Sequence, residues 1–116
     1  MISKQTAEHY LWGDACDGWH LVRQPDLSVI SERMPGGTAE VRHSHNRARQ
    51  FFYVLSGQVL LEIGGEIEIL TAHQGIEIAS GVPHQIRNES GQDAEFLVIS
   101  QPPAQSDRIP VPLELS

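Results

Sequence analysis

Short apolar stretches, separated by glycine, proline and polar residues, run along most of this chain of 116 residues. Apolar and polar positions alternate in several of them: Val59, Leu61 and Ile63 share one face, and Gln58 and Glu62 lie on the other. A period of two is typical of a strand with one buried face. Valine, isoleucine and phenylalanine are common in these stretches, as strands prefer. The pattern therefore predicts a chain built from short β-strands.

Nine stretches fit this description, at residues 19–22, 27–34, 38–45, 50–55, 58–63, 66–70, 76–79, 84–88 and 95–100. The pair Gly64-Gly65 between two of them is the signal of a two-residue hairpin loop. Residues 6–11 form the only helical candidate, which is too short to be stable alone. Because strands do not alternate with helices, we predict an all-β fold, a sandwich or a barrel.

Composition limits the classes of function. The chain has 8 Lys and Arg against 15 Asp and Glu, a net charge of −7, which argues against binding to nucleic acid. Its single cysteine, Cys16, cannot form an internal disulfide, so we expect a cytoplasmic protein. Residues 1–12 lack the apolar segment of a signal peptide, and the longest apolar run, 51–55, is far below the roughly 20 residues of a membrane helix.

Three histidines have a spacing that suggests metal binding. His43 and His45 are two residues apart on a predicted strand, so both imidazoles point to the same face. His84 follows a turn at residues 81–83, and Gln50 opens another predicted strand. If the inward faces of these strands meet, three imidazoles and an amide oxygen converge. That donor set suits Fe, Mn, Ni, Zn or Cu and leaves positions open for water or substrate.

Two spaced patterns resemble the two motifs of small single-domain cupins. The first runs Gly37, five residues, His43, one residue, His45, four residues, Gln50, six residues, Gly57. The second runs through residues 81–84 and, after three more, Asn88. The chain departs from the motifs at Gln50, where the family usually has glutamate, and upstream of residue 81, where His73 replaces a glycine and Ala79 a proline.

The resemblance covers about residues 27–100 and implies a jelly-roll-type β-barrel, the cupin-like double-stranded β-helix. It also implies one divalent transition metal, with His43, His45, Gln50 and His84 as ligands. We expect a single domain over residues 1–116. Residues 101–116 contain four prolines and are predicted to be an arm, an edge strand or a disordered tail. Because cupin-like barrels tend to pair, we expect a homodimer.

Three arginines flank the predicted ligands. Arg42 alternates away from His43, which favours a solvated position. Arg47 and Arg49 lie in the following loop and are candidates for substrate binding, as an entrance that attracts anions.

Two functions remain open. The first is a metal-dependent enzyme that acts on a small oxygenated molecule. We expect this molecule to be anionic, because neutral ligands leave the charge of the metal ion uncompensated. The second is a non-catalytic metal-bearing protein that binds or senses a small ligand. The motif residues offer no general base, since Gln50 stands where the carboxylate is expected, so enzymatic activity is not settled. Because free imidazole takes up a proton near pH 6.5, we expect metal affinity to fall as the pH drops through about 6.5.

Overall fold

The computed structural model describes residues 1–113 and contains twelve strands within them. They are β1 (Glu8–Trp12), β2 (Cys16–Gln24), β3 (Leu27–Met34), β4 (Thr38–Ala39), β5 (His43–His45), β6 (Arg49–Ser56), β7 (Gln58–Ile63), β8 (Glu66–Thr71), β9 (Gly75–Ile78), β10 (His84–Asn88), β11 (Ala94–Gln101) and β12 (Arg108–Pro110). The all-β prediction is confirmed. Among the described residues, there is no helix of the length and apolar character needed to cross a membrane.

The strands form two antiparallel sheets of six strands each. One sheet has the order β1-β2-β3-β11-β6-β9, and the other has the order β12-β5-β10-β7-β8 with β4 also paired to β10. One apolar cluster joins them, with Phe52 and Phe96 from the first sheet and Leu61 and Ile86 from the second. The fold is therefore of the expected jelly-roll type, but its two sheets face each other without closing into a barrel.

Several predicted strands have the bounds that the alternation gave. β3, β7 and β10 match residue for residue. The Gly64-Gly65 turn joins β7 to β8, with Ile63 paired to Glu66 and with positive φ angles of 57° and 93° at the two glycines. A left-handed backbone at both loop positions is the geometry that favours glycine in such a hairpin.

Two predictions about local structure are wrong. The helical candidate at residues 6–11 falls mostly in β1, whose five residues pair with β2. Pairing with a neighbour therefore outweighs the local preference of this short segment. The single strand predicted over residues 38–45 is divided into β4 and β5. Between them, the Arg42 side chain pairs with Glu62 and the Val41 carbonyl accepts the ring proton of His43.

Part of the proline-rich segment forms an edge strand. Its strand β12 pairs with β5 and places Arg108 opposite His45. The carboxylate of Asp107 accepts hydrogen bonds from the backbone N–H groups of residues 46, 47 and 48, at 3.1, 2.8 and 2.9 Å. The segment therefore holds the loop that links the two halves of the predicted ligand set. Residues 114–116 of the predicted arm lie outside the described part of the chain.

Candidate metal centre and its cavity

Three histidines lie together on neighbouring strands. His43 and His45 lie on β5, and His84 on β10 is the register partner of His43. One ligand atom from each residue lies within 4.8 Å of the others, and all three side chains are buried. The histidines that the sequence singled out therefore form a cluster that could hold a metal ion.

Hydrogen bonds fix the protonation of two of these rings. The Nδ1 atom of His43 lies 2.7 Å from the carbonyl oxygen of Val41, and that of His84 lies 3.0 Å from the carbonyl oxygen of Val82. Because a carbonyl only accepts, each Nδ1 carries the proton and each Nε2 keeps its lone pair. The Nε2 of His84 and both ring nitrogens of His45 are buried without a hydrogen-bond partner in residues 1–113. A bound cation would satisfy the lone pair of His84 Nε2 and the one lone pair of the neutral His45 ring, so the residues fit a transition metal.

Burial keeps the three imidazoles neutral. It lowers the pKa of His43 to about 3, and it lowers the pKa values of His45 and His84 from their ordinary 6.5. Neutral imidazole is the form that binds metal. The loss of metal affinity on acidification stays a prediction, and the lowered pKa values of the imidazoles move the pH at which we expect it below 6.5.

Gln50 approaches from the other sheet, on β6. Its amide Nε2 donates to the hydroxyl of Ser100, its register partner on β11, at 3.0 Å. Its Oε1 is buried without a hydrogen-bond partner among the described residues. This free amide oxygen supports the prediction of Gln50 as a fourth ligand, which stays a prediction.

A cavity of about 320 Å³ opens beside the cluster. His43, His45 and Gln50 form part of its wall. Sites that enclose small molecules have volumes of about 300 to 1,000 Å³. The cavity therefore suits a molecule of few heavy atoms.

Two carboxyl groups line the same cavity, Glu32 from β3 and Glu40 from the segment between β4 and β5. Burial raises the pKa of Glu32 to about 7 and that of Glu40 to about 8, and the nearby charge of Glu32 adds to the rise at Glu40. The hydroxyl of Tyr10 donates to Glu32, and the backbone N–H of Ile86 donates to Glu40, each at 3.2 Å. Sequence reasoning missed both acids, because a charged residue in an alternating strand usually faces water.

The sequence model of the cupin domain family matches residues 29–100. This chain belongs to the cupin domain family. The matched range includes both motifs, and together with the two-sheet fold the match confirms the resemblance that the histidine spacing suggested. A comparison with curated proteins gave no match.

Several solved structures share this fold. KdgF from a Halomonas species is 18% identical with a TM-score of 0.80, over 90% of this chain and 94% of that one. The polyketide cyclase RemF from Streptomyces resistomycificus is 18% identical with a TM-score of 0.81, over 98% and 86%. A sugar phosphate isomerase of the cupin superfamily from Silicibacter pomeroyi is 19% identical with a TM-score of 0.79, over 87% and 74%. At these identities the likeness establishes the fold alone.

The arginines of this cupin are distributed differently from the expectation. Neither Arg47 nor Arg49 is among the residues that line the cavity beside the histidines. Arg49 lies in a separate groove, where it donates to Gln101 at 2.8 Å. Arg42 is not solvated, because its side chain is 12% exposed and pairs with the buried Glu62.

The cation in the cavity wall is Arg108, on β12. One of its terminal nitrogens donates to the carbonyl of Val41 at 3.2 Å, beside His43. No sequence signal marked Arg108, since it reaches the site only because β12 folds back onto β5. A substrate-binding role for Arg47 and Arg49 stays a prediction, and Arg108 is a stronger candidate by position.

Proposed function

We propose that this cupin is a metal-dependent enzyme that acts on a small, oxygenated, anionic molecule bound in the cavity. The observation that carries the proposal is the set of buried lone pairs without partners on His45, His84 and Gln50, beside a cavity of ligand size. When bound there, a divalent metal ion would supply Lewis-acid polarisation of an oxygen of the substrate.

The charge balance of the site favours an anionic substrate. Three neutral imidazoles and a neutral amide leave the charge of a divalent ion uncompensated, and a buried uncompensated charge is costly. Arg108 adds a further cation to the cavity wall. The carboxyl groups of Glu32 and Glu40 reduce this positive charge only when they are ionised, and burial favours their neutral forms.

The remaining residues would bind and orient the substrate and handle protons. Arg108 is placed to donate hydrogen bonds to a carboxylate, and Glu32 and Glu40 are the acids and bases that the motif residues lack. Their presence favours an enzyme over a non-catalytic binding protein, since a general acid–base group is useful only where protons move. The homodimer and the cytoplasmic location remain predictions beside this proposal.

Calorimetric titration of the zinc-loaded protein with oxalate tests this proposal. We expect binding that needs zinc and that weakens at least about tenfold in Arg108→Gln, because a charge-assisted hydrogen bond contributes about 1.5–3 kcal/mol. Arg23→Gln, the same change at an exposed arginine outside the cavity, is the matched control, and its affinity should equal that of the wild type. Equal oxalate affinity with and without zinc would contradict the proposal. A loss in Arg49→Gln alone would instead place the anion entrance in the loop.

A further inference from the structure

Three neighbouring strands build a support for one carboxyl group of the cavity. Tyr10 on β1 pairs in register with Gly18 on β2, and Gly18 pairs with Glu32 on β3. The tyrosine ring lies across the glycine, where a Cβ atom would come within 2.1 Å of the ring carbon Cζ. Its hydroxyl reaches Glu32 Oε2 at 3.2 Å. The absence of a side chain at residue 18 is therefore what allows Tyr10 to hold Glu32.

The other oxygen of Glu32 is free. Within the described part of the chain, Oε1 of Glu32 has no hydrogen-bond partner, and this atom is not fully buried. Since Glu32 lines the cavity together with His43 and His45, this oxygen is open to a molecule bound there. Burial and the neighbouring carboxyl group raise the pKa of Tyr10 above its ordinary value, so the phenol stays a hydrogen-bond donor.

The carboxyl group of Glu40, unlike that of Glu32, contacts the backbone of β10 and lies near a histidine of the cluster. Its Oε1 accepts a hydrogen bond from the backbone of Ile86 and lies 3.9 Å from Nδ1 of His43. That is the side of the ring turned away from the lone pair of Nε2. Glu40 therefore supports a metal-ligand candidate from behind, and Glu32 is the carboxyl group that remains available for proton transfer.

We propose that Glu32 is the catalytic base and acid of this site, that Tyr10 is its positioning residue, and that the reaction moves a proton at the carbon beside a carbonyl group of a small 2-oxo acid or 2-hydroxy carbonyl compound. This inference rests on the proposed function. The C–H bond breaks, its proton goes to Glu32 Oε1, and its electron pair moves through the new C=C bond onto the carbonyl oxygen. Return of a proton from Glu32 to carbon completes the exchange without an oxidant or reductant.

Several charged or titratable groups line the cavity with Glu32 and would shape its pH dependence. They are Tyr10 from β1, His20 from β2, Glu40 from the segment before β5, His43 and His45 from β5, and Arg108 from β12. Burial raises the pKa of Glu32 to about 7, and the hydrogen bond from Tyr10 and the charge of Arg108 oppose that rise. A group with such a pKa exchanges protons readily near neutral pH.

The test follows deuterium incorporation into the methyl group of pyruvate, by proton NMR, with the zinc-loaded protein in D₂O. We expect exchange in the wild type and a loss of about 100-fold or more in Glu32→Gln, the scale of a missing general base. Zinc content should be unchanged and pyruvate affinity should not fall, because the substitution keeps the shape of the side chain and removes only a negative charge. The control is Glu66→Gln, the same change on the exposed edge strand β8, which should exchange at the wild-type rate.

Two variants separate positioning from simple packing. Tyr10→Phe removes the hydroxyl, and Gly18→Ala pushes the ring aside. Both should slow exchange about tenfold and move the half-maximal rate to higher pH, because losing the donated hydrogen bond raises the pKa of Glu32. Carbon-13 NMR of the Glu32 carboxyl group should show the same rise in pKa without any substrate. An unchanged Glu32 pKa in both variants would overturn the role of Tyr10.

The outcomes distinguish this inference from the proposed function. If the wild type binds zinc and pyruvate but incorporates no deuterium, the role of Glu32 is overturned and the metal site stands. Exchange at the wild-type rate in Glu32→Gln would overturn it as well. If the wild type does not bind zinc, the proposed function itself fails.

Discussion

Replacing Glu32 by glutamine should stabilise the metal-free protein at alkaline pH and leave its stability almost unchanged at pH 4. In the folded protein the pKa of Glu32 is about 7, against an ordinary value of 4.5, chiefly because the carboxyl group is buried. Between these two values the unfolded chain binds fewer protons than the folded protein. The free energy of unfolding of the wild type therefore falls as the pH rises through this window, and the loss persists above it.

The structure gives the size of this effect. The folded value lies about 2.5 above the ordinary one, and one pKa unit corresponds to about 1.4 kcal/mol. The wild type should thus lose about 3 kcal/mol relative to Glu32→Gln between pH 4 and pH 8. Glutamine keeps an oxygen that accepts the hydrogen bond of Tyr10, so the substitution isolates the charge.

Urea denaturation at pH 4, 6 and 8, in the presence of a chelator, measures the difference. Glu66→Gln removes the same charge from the exposed edge strand β8 and should follow the wild-type profile. If the difference between wild type and Glu32→Gln changes by less than about 1 kcal/mol over this range, Glu32 is not desolvated in the folded protein. The general-base assignment would then lose its physical basis.

Three further outcomes are expected. Arg42→Ala should cost about 3 kcal/mol of unfolding free energy in urea denaturation, because it leaves the buried carboxylate of Glu62 unpaired; a cost equal to that of Arg47→Ala would contradict this. Gln50→Glu should tighten zinc binding and weaken oxalate binding in paired titrations, since a carboxylate compensates the charge of the ion; unchanged affinities would exclude Gln50 as a ligand. Zinc affinity should begin to fall at a lower pH than the zinc affinity of free imidazole, because burial lowers the pKa values of all three imidazoles. A fall that begins at the same pH as for free imidazole would contradict this.

Local pattern accounts for most of the sheet structure. The alternation at Val59, Leu61 and Ile63 gave β7 its bounds, and the glycine pair gave its turn, because both signals depend on residues close in sequence. β1 was missed for the opposite reason. Its five residues form a strand because they pair with β2, and the sequence of these five residues does not indicate that pairing.

In the candidate site, too, the residues predicted from local spacing were found and those placed by long-range contacts were not. The histidines were found from sequence because two-residue spacing places His43 and His45 on one face wherever the strand goes. Glu32 and Arg108 were not found, because their position depends on long-range closure. Glu32 faces the cavity only because the second sheet covers its strand, and Arg108 reaches it only because β12 returns to β5. The alternation of apolar and polar residues identifies the residues that share one face of a strand. It does not identify the part of the protein that this face packs against.

The metal content of the protein, measured by mass spectrometry after loading with zinc and removal of free ions, shows whether the histidine cluster binds a metal. We expect close to one ion per chain in the wild type and none in His43→Ala, His45→Ala or His84→Ala, each with an unchanged far-ultraviolet circular dichroism spectrum. The matched control is His73→Asn, an exchange in an exposed turn whose positive φ of 68° asparagine tolerates, and it should bind like the wild type. Wild-type metal content in any two of the three alanine variants would contradict the assignment of the histidine cluster as a metal site.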